Sequence, residues 1–129
     1  MNIIIKENLK TEICSLIKTS KKEVVLLLDG EKKQNVVEVH AVVPVKNSAR
    51  SDFAFIVEEE DFLHAKDKIR HDFVGLFHSH KSSNVLSESD ISQMKKTDYP
   101  WMIGSFSNEE LILSVYYIEN SKIKELKLY

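Results

Sequence analysis

Cysteine is almost missing from this sequence: Cys14 is the only one among 129 residues. A single thiol excludes a disulfide framework and a thiolate cluster, and its place on an apolar helical stripe predicts burial rather than reactivity. An excess of one charge is missing too, with 18 basic and 20 acidic side chains and a net charge of -2. That balance removes the basic surplus of a dedicated nucleic-acid binder and leaves room only for a local patch. No apolar run approaches the length that spans a bilayer, and Met1-Asn2-Ile3-Ile4-Ile5-Lys6 is too brief and too soon charged for a signal peptide. The expectation is a cytoplasmic protein without membrane contact. Glycine-rich phosphate loops and His-Glu-x-x-His helices are also absent.

What is present fits one α/β domain, long enough to bury a core without a staple. The first residues read as a strand. Leu9, Ile13, Leu16 and Ile17 lie on one stripe of an amphipathic helix between Glu7 and Thr19, whose face should cover a sheet. Glu23-Val24-Val25-Leu26-Leu27-Leu28 predicts a central strand buried on both faces and ended by Asp29-Gly30 and a polar turn through Gln34. Val36 to Val43 makes its hairpin partner, stopping at Pro44, and Phe53 to Val57 is expected to be a further strand. Glu58 to Asp61 is the acidic first turn of a helix through Phe62, Leu63, Lys66 and Ile69, rather than a metal site.

Phe73 to Phe77 predicts a buried strand leading into His78-Ser79-His80. Alternation along an extended chain points His78 and His80 to one face and Ser79 to the other. Ser87 is then a natural N-cap, with Asp90 three positions on in a near capping-box pattern, and a short helix with Ile91 and Met94 fading near Tyr99-Pro100. Trp101 to Phe106, Leu111 to Tyr117 and Ile123 to Leu128 complete the chain as strands.

A lone His-x-His pair is a common pattern. Joined to Asp90 at a helix start it offers two imidazoles and a carboxylate, a credible donor set for one zinc ion with a fourth position left for water. Hydrolysis also needs a proton acceptor, and Glu23 is the candidate, because a carboxylate at the head of a buried strand must stand at the solvent edge or have a partner. Ser87 reads either as a helix cap or as a hydroxyl donor to an oxyanion. His40, His64 and His71 have no comparable partners and are expected at surface or boundary positions.

Glu23 with its apolar strand, then Gly75-Leu76-Phe77-His78-Ser79-His80, then Ser87-x-x-Asp90, resembles the JAMM (MPN+) zinc metalloprotease family. The similarity covers the chain from about Ser20 to Tyr117 in element order. It implies an MPN-type, cytidine-deaminase-like α/β sandwich with a mixed, curved sheet and packed helices. It further implies one zinc ion with a bound water held by His78, His80 and Asp90, Glu23 as general acid/base, and Ser87 as oxyanion stabiliser. The implied activity is hydrolysis of peptide or isopeptide bonds in conjugates of ubiquitin or a ubiquitin-like modifier. The sequence departs from the family pattern in three places. The spacer Lys81 to Leu86 has six residues, one fewer than is usual. Lys81 replaces a common proline, and Val24 and Val25 stand where smaller residues are frequent.

Two other readings share this sequence. One is a non-catalytic MPN-like interaction module. The other is a zinc hydrolase that processes a sulfur-carrier protein or a small amide. A zinc deaminase would need a Pro-Cys-x-x-Cys pair that one cysteine cannot supply, and an eightfold barrel needs a far longer chain.

Overall fold

Apolar side chains on both sides of one sheet determine the architecture, seen in a computed structural model that describes residues 1–52, 54–81 and 83–128. The elements run β1 (Asn2–Ile5), α1 (Glu7–Lys18), β2 (Val25–Lys33), β3 (Val36–Val45), α2 (Glu59–Lys66), β4 (Asp72–Ser79), α3 (Glu88–Met94), β5 (Trp101–Ser107), β6 (Glu110–Glu119) and β7 (Lys122–Leu128). The seven strands form one mixed sheet in the order β1-β3-β2-β4-β5-β6-β7. β1 with β3 and β4 with β5 are the parallel pairs. Residues of alternate parity along β2 and β4 split into two apolar clusters. Leu26, Leu28 and Phe77 pack on one face with Leu9 and Ile13 of α1. Val25, Leu27 and Leu76 pack on the other with Ala65 of α2 and Met94 of α3. The result is the expected α/β sandwich, and β2, buried along Val25 to Gly30, is its central strand.

Asp29-Gly30 does not end that strand. The ladder shifts register there against both β3 and β4, and β2 continues to Lys33 before turning at Gln34-Asn35. This is a bulge, and it explains the glycine: a Cβ at Gly30 would stand 1.8 Å from the Glu38 carbonyl oxygen. The buried Asp29 carboxylate accepts the backbone N–H groups of Arg70 and His71 at 2.9 Å each, tying the segment between α2 and β4 to β2. β3 likewise runs past Pro44 to Val45, because its other neighbour, β1, pairs only with Val36 to Val39. At Pro44 it is an edge, where a missing N–H costs nothing.

The strand expected over residues 53–57 does not form. Phe53 lies outside the described residues, and 54–58 belong to no ladder. Asn47 holds this segment instead: its Oδ1 accepts the N–H of Ala49 and of Ile56, and its Nδ2 donates to the carbonyls of Ala54 and Glu23. α3 is also shorter than its pattern suggested, closing at Met94 with Lys95 as its C-cap. Cys14 is half-buried on α1 rather than enclosed. His64 and His71 are exposed, and the His40 side chain is 27% exposed with Glu38 3.8 Å away. Among the described residues, no helix is long and apolar enough to cross a membrane.

Candidate metal centre

His78 is the penultimate residue of β4, paired with Val25 of β2 and Ile103 of β5, and is fully buried. His80 follows just past the strand, its N–H still donating to Gly104 across β5. Strand alternation brings the two imidazoles together as the sequence predicts, with their Nε2 atoms 3.0 Å apart. Ser79, between them, points to the opposite face. Its Oγ accepts the Val24 N–H at 2.7 Å and its N–H donates to the Val24 carbonyl at 2.9 Å. The middle residue of the His-Ser-His segment therefore anchors the backbone beside Glu23.

Asp90 arrives from the first turn of α3. The full capping box forms: Ser87 Oγ accepts the Asp90 N–H and the Asp90 Oδ2 accepts the Ser87 N–H, both at 3.0 Å. The same carboxylate faces the histidines, with Oδ1 3.4 Å from His78 Nε2 and Oδ2 3.2 Å from His80 Nε2. Donors about 2.0–2.1 Å from one ion at tetrahedral angles stand roughly 3.3 Å apart. The two imidazole nitrogens are 3.0 Å apart and each lies within 3.4 Å of one or other Asp90 carboxylate oxygen; with one donor atom taken per residue, all three lie within 4.8 Å of one another. His78, His80 and Asp90 can thus hold a metal ion. The nitrogen and carboxylate donors suit zinc.

Outer contacts orient these donors. His80 Nδ1 lies 2.9 Å from the Ser83 carbonyl and donates to it, which fixes the ring with Nε2 facing His78 and Asp90. His78 Nδ1 is buried without a hydrogen-bond partner among the described residues. Its ring instead packs against Phe55 at 4.4 Å and edge-on to Trp101 at 5.5 Å.

The ionisation of the cluster follows from this packing. Burial lowers the His78 pKa and outweighs the pull of Asp90, which keeps the ring neutral. Burial also acts against the charged forms of Asp90 and His80, but each wins through the other. Hydrogen bonds from His78 and His80 hold the Asp90 carboxyl well below the usual carboxylate range. Asp90 and, behind it, Glu23 raise His80.

Glu23 stands two residues before β2 proper, on the same face as Val25 by strand parity, and is 7% exposed. It lines one cavity of about 290 Å³ with His80, Lys81, Val85, Ser87 and Asp90. Burial raises its pKa; the neighbouring His80 opposes that and Asp90 adds to it. All five residues singled out in the sequence are therefore gathered at the carboxyl end of β4 and the amino end of α3. Sequence reasoning missed Asn47, Ser79 and Asn84. Each holds backbone near the cluster through contacts with sequence-distant positions, and only the alternation that turns Ser79 away from the histidines gave any advance signal.

Residues 2–100 match the model of the family described as JAB1/Mov34/MPN/PAD-1 ubiquitin protease. No curated protein matches the sequence. Among solved structures, that of a Desulfitobacterium hafniense protein is similar over 98% of this chain and 90% of that one, with a TM-score of 0.81 at 20% identity. A Salinibacter ruber protein is similar over 98% of this chain and 88% of that one, with a TM-score of 0.63 at 16% identity. At these identities the two structures speak for the fold alone.

Proposed function

Since the chain belongs to the JAB1/Mov34/MPN/PAD-1 family, we propose that it is a zinc-dependent hydrolase of peptide or isopeptide bonds in conjugates of ubiquitin or a ubiquitin-like modifier. The observation that carries the proposal is the convergence of His78, His80 and Asp90, with the buried Glu23 sharing one cavity with His80 and Asp90. His78, His80 and Asp90 would hold the zinc ion, which when bound would supply Lewis acidity toward the scissile carbonyl and lower the pKa of water toward neutrality.

The remaining work falls to the protein. Glu23 takes a proton from the attacking water and returns it to the leaving amine, and its burial makes the carboxylate a stronger base than an exposed glutamate. Ser87 serves both of its sequence readings. Its cap bond with the Asp90 N–H uses an oxygen lone pair, which leaves the hydroxyl hydrogen free to donate to an oxyanion. Phe55, which lines the same cavity and packs on His78, shields that imidazole from water. The lone thiol and balanced charge fit a cytoplasmic protein whose partners are proteins rather than nucleic acid.

A cleavage assay on ubiquitin-like fusions and isopeptide-linked conjugates tests this reading. Turnover is expected with zinc and not with chelator, and Glu23→Gln should reduce it by about 100-fold or more. Equal turnover with zinc and with chelator, or an unimpaired Glu23→Gln variant, overturns it. A protein that carries no zinc and cannot take it up would instead favour the interaction-module reading.

A further inference from the structure

The loop that must carry Asp90 to the histidines, residues 81–86, is one residue short of the family spacer. Its midpoint is not held by neighbours in sequence. Asn84 reaches across to β5 and β6, where its Nδ2 donates to the Ile112 carbonyl at 2.8 Å, to Ser114 Oγ at 3.0 Å and, at 3.3 Å, to the Ile103 carbonyl. Ser105 Oγ donates to Asn84 Oδ1, and the Tyr116 hydroxyl donates to the Asn84 carbonyl. Burial, with Glu125 adding to it, pushes the Tyr116 hydroxyl up to about 12, so it remains a donor throughout the neutral range. Ser105 and Ser114 are buried. Two interior strands thus present three hydroxyls to one loop residue, Ser105 and Ser114 to the Asn84 side chain and Tyr116 to its main-chain carbonyl.

The two neighbours of this node both serve the metal cluster. Immediately before Asn84, the Ser83 carbonyl orients His80 through Nδ1. Three residues after it, Ser87 starts the turn that delivers Asp90. We propose that Asn84 is a positioning residue for the metal centre: by fastening the short loop to β5 and β6, it sets His80 and Asp90 at the separation one divalent ion requires. This inference rests on the metal-centre reading above and adds to it the residue that compensates for the shortened spacer.

Cobalt(II) titration of the metal-free protein, followed by the visible absorption bands of the bound ion, tests it independently of any activity. Asn84→Ala should weaken cobalt affinity by at least about tenfold and alter the band positions or intensities. Tyr116→Phe removes one bond to the same node while keeping the ring, and should move both readouts in the same direction by a smaller factor. Should Asn84→Ala fail to fold by circular dichroism, Tyr116→Phe decides. Folded variants with the affinity and spectrum of the unsubstituted protein overturn the inference alone. Absence of cobalt uptake by the unsubstituted protein contradicts the metal-centre reading and this inference with it.

Discussion

Glu23 illustrates how a single residue records its surroundings. Its carboxyl is pushed above the ordinary 4.5 by burial, against the pull of His80 and with the push of Asp90. In the metal-free protein the folded state therefore binds this proton more tightly than the unfolded chain. The resulting stabilisation is complete below the unfolded pKa and is lost as pH rises through the folded one. Glu23→Gln removes the ionisable group, so the variant should be more stable than the unsubstituted protein at pH 8, with the gap closing as pH falls to 4. Urea unfolding midpoints of both metal-free proteins at the two pH values check this, and a gap that widens on acidification contradicts it. At this scale the sequence was informative where the chemistry is local. Strand alternation paired His78 with His80, and capping-box spacing placed Ser87 and Asp90. It was silent on Asn47 and Asn84, because their bonds join positions separated by about twenty to thirty residues through loops that no periodicity describes.

Elements in this chain are fixed by hydrophobic pattern, and their ends by chemistry that the pattern does not contain. α1, β4 and the last three strands were legible because their apolar spacing is long and regular. Asp29-Gly30 misled for a physical reason: the same dipeptide that makes a tight turn also makes a bulge, and only the pairing of β2 with strands on both sides distinguishes them. The expected strand at 53–57 failed because its backbone groups find Asn47 and not a neighbouring strand. The two last hairpins turn through Asn108-Glu109 and Asn120-Ser121, all four in the left-handed region. A side chain at Glu109, with φ of 64°, carries a penalty of about 1 kcal/mol that glycine escapes. Glu109→Gly should accordingly raise stability by about 1 kcal/mol, read as a higher denaturant midpoint, because Asn-Gly is the preferred pair for this turn. A lower midpoint would show that the turn is held by something other than backbone preference.

For the whole molecule, the sheet acts as a frame that brings three separate pieces of chain to one end. β2 carries the backbone that follows Glu23, β4 ends in the two histidines, and α3 begins at Asp90. β2 and β4 are adjacent in the sheet, so the acid/base candidate and the donor pair are set by register rather than by a flexible segment. The fold class and this gathering were foreseeable from element order. The fastening of the loop to β5 and β6 was not, since it depends on which interior hydroxyls the finished sheet exposes.

The central claim is that this gathering holds one zinc ion through His78, His80 and Asp90. Zinc content per chain, measured by mass spectrometry after incubation with excess zinc and gel filtration, tests it most directly. The account predicts one zinc ion per chain in the unsubstituted protein, and its loss in each of His78→Ala, His80→Ala and Asp90→Ala while the variants remain folded. No zinc in the unsubstituted protein, or full retention in the three variants, would contradict it.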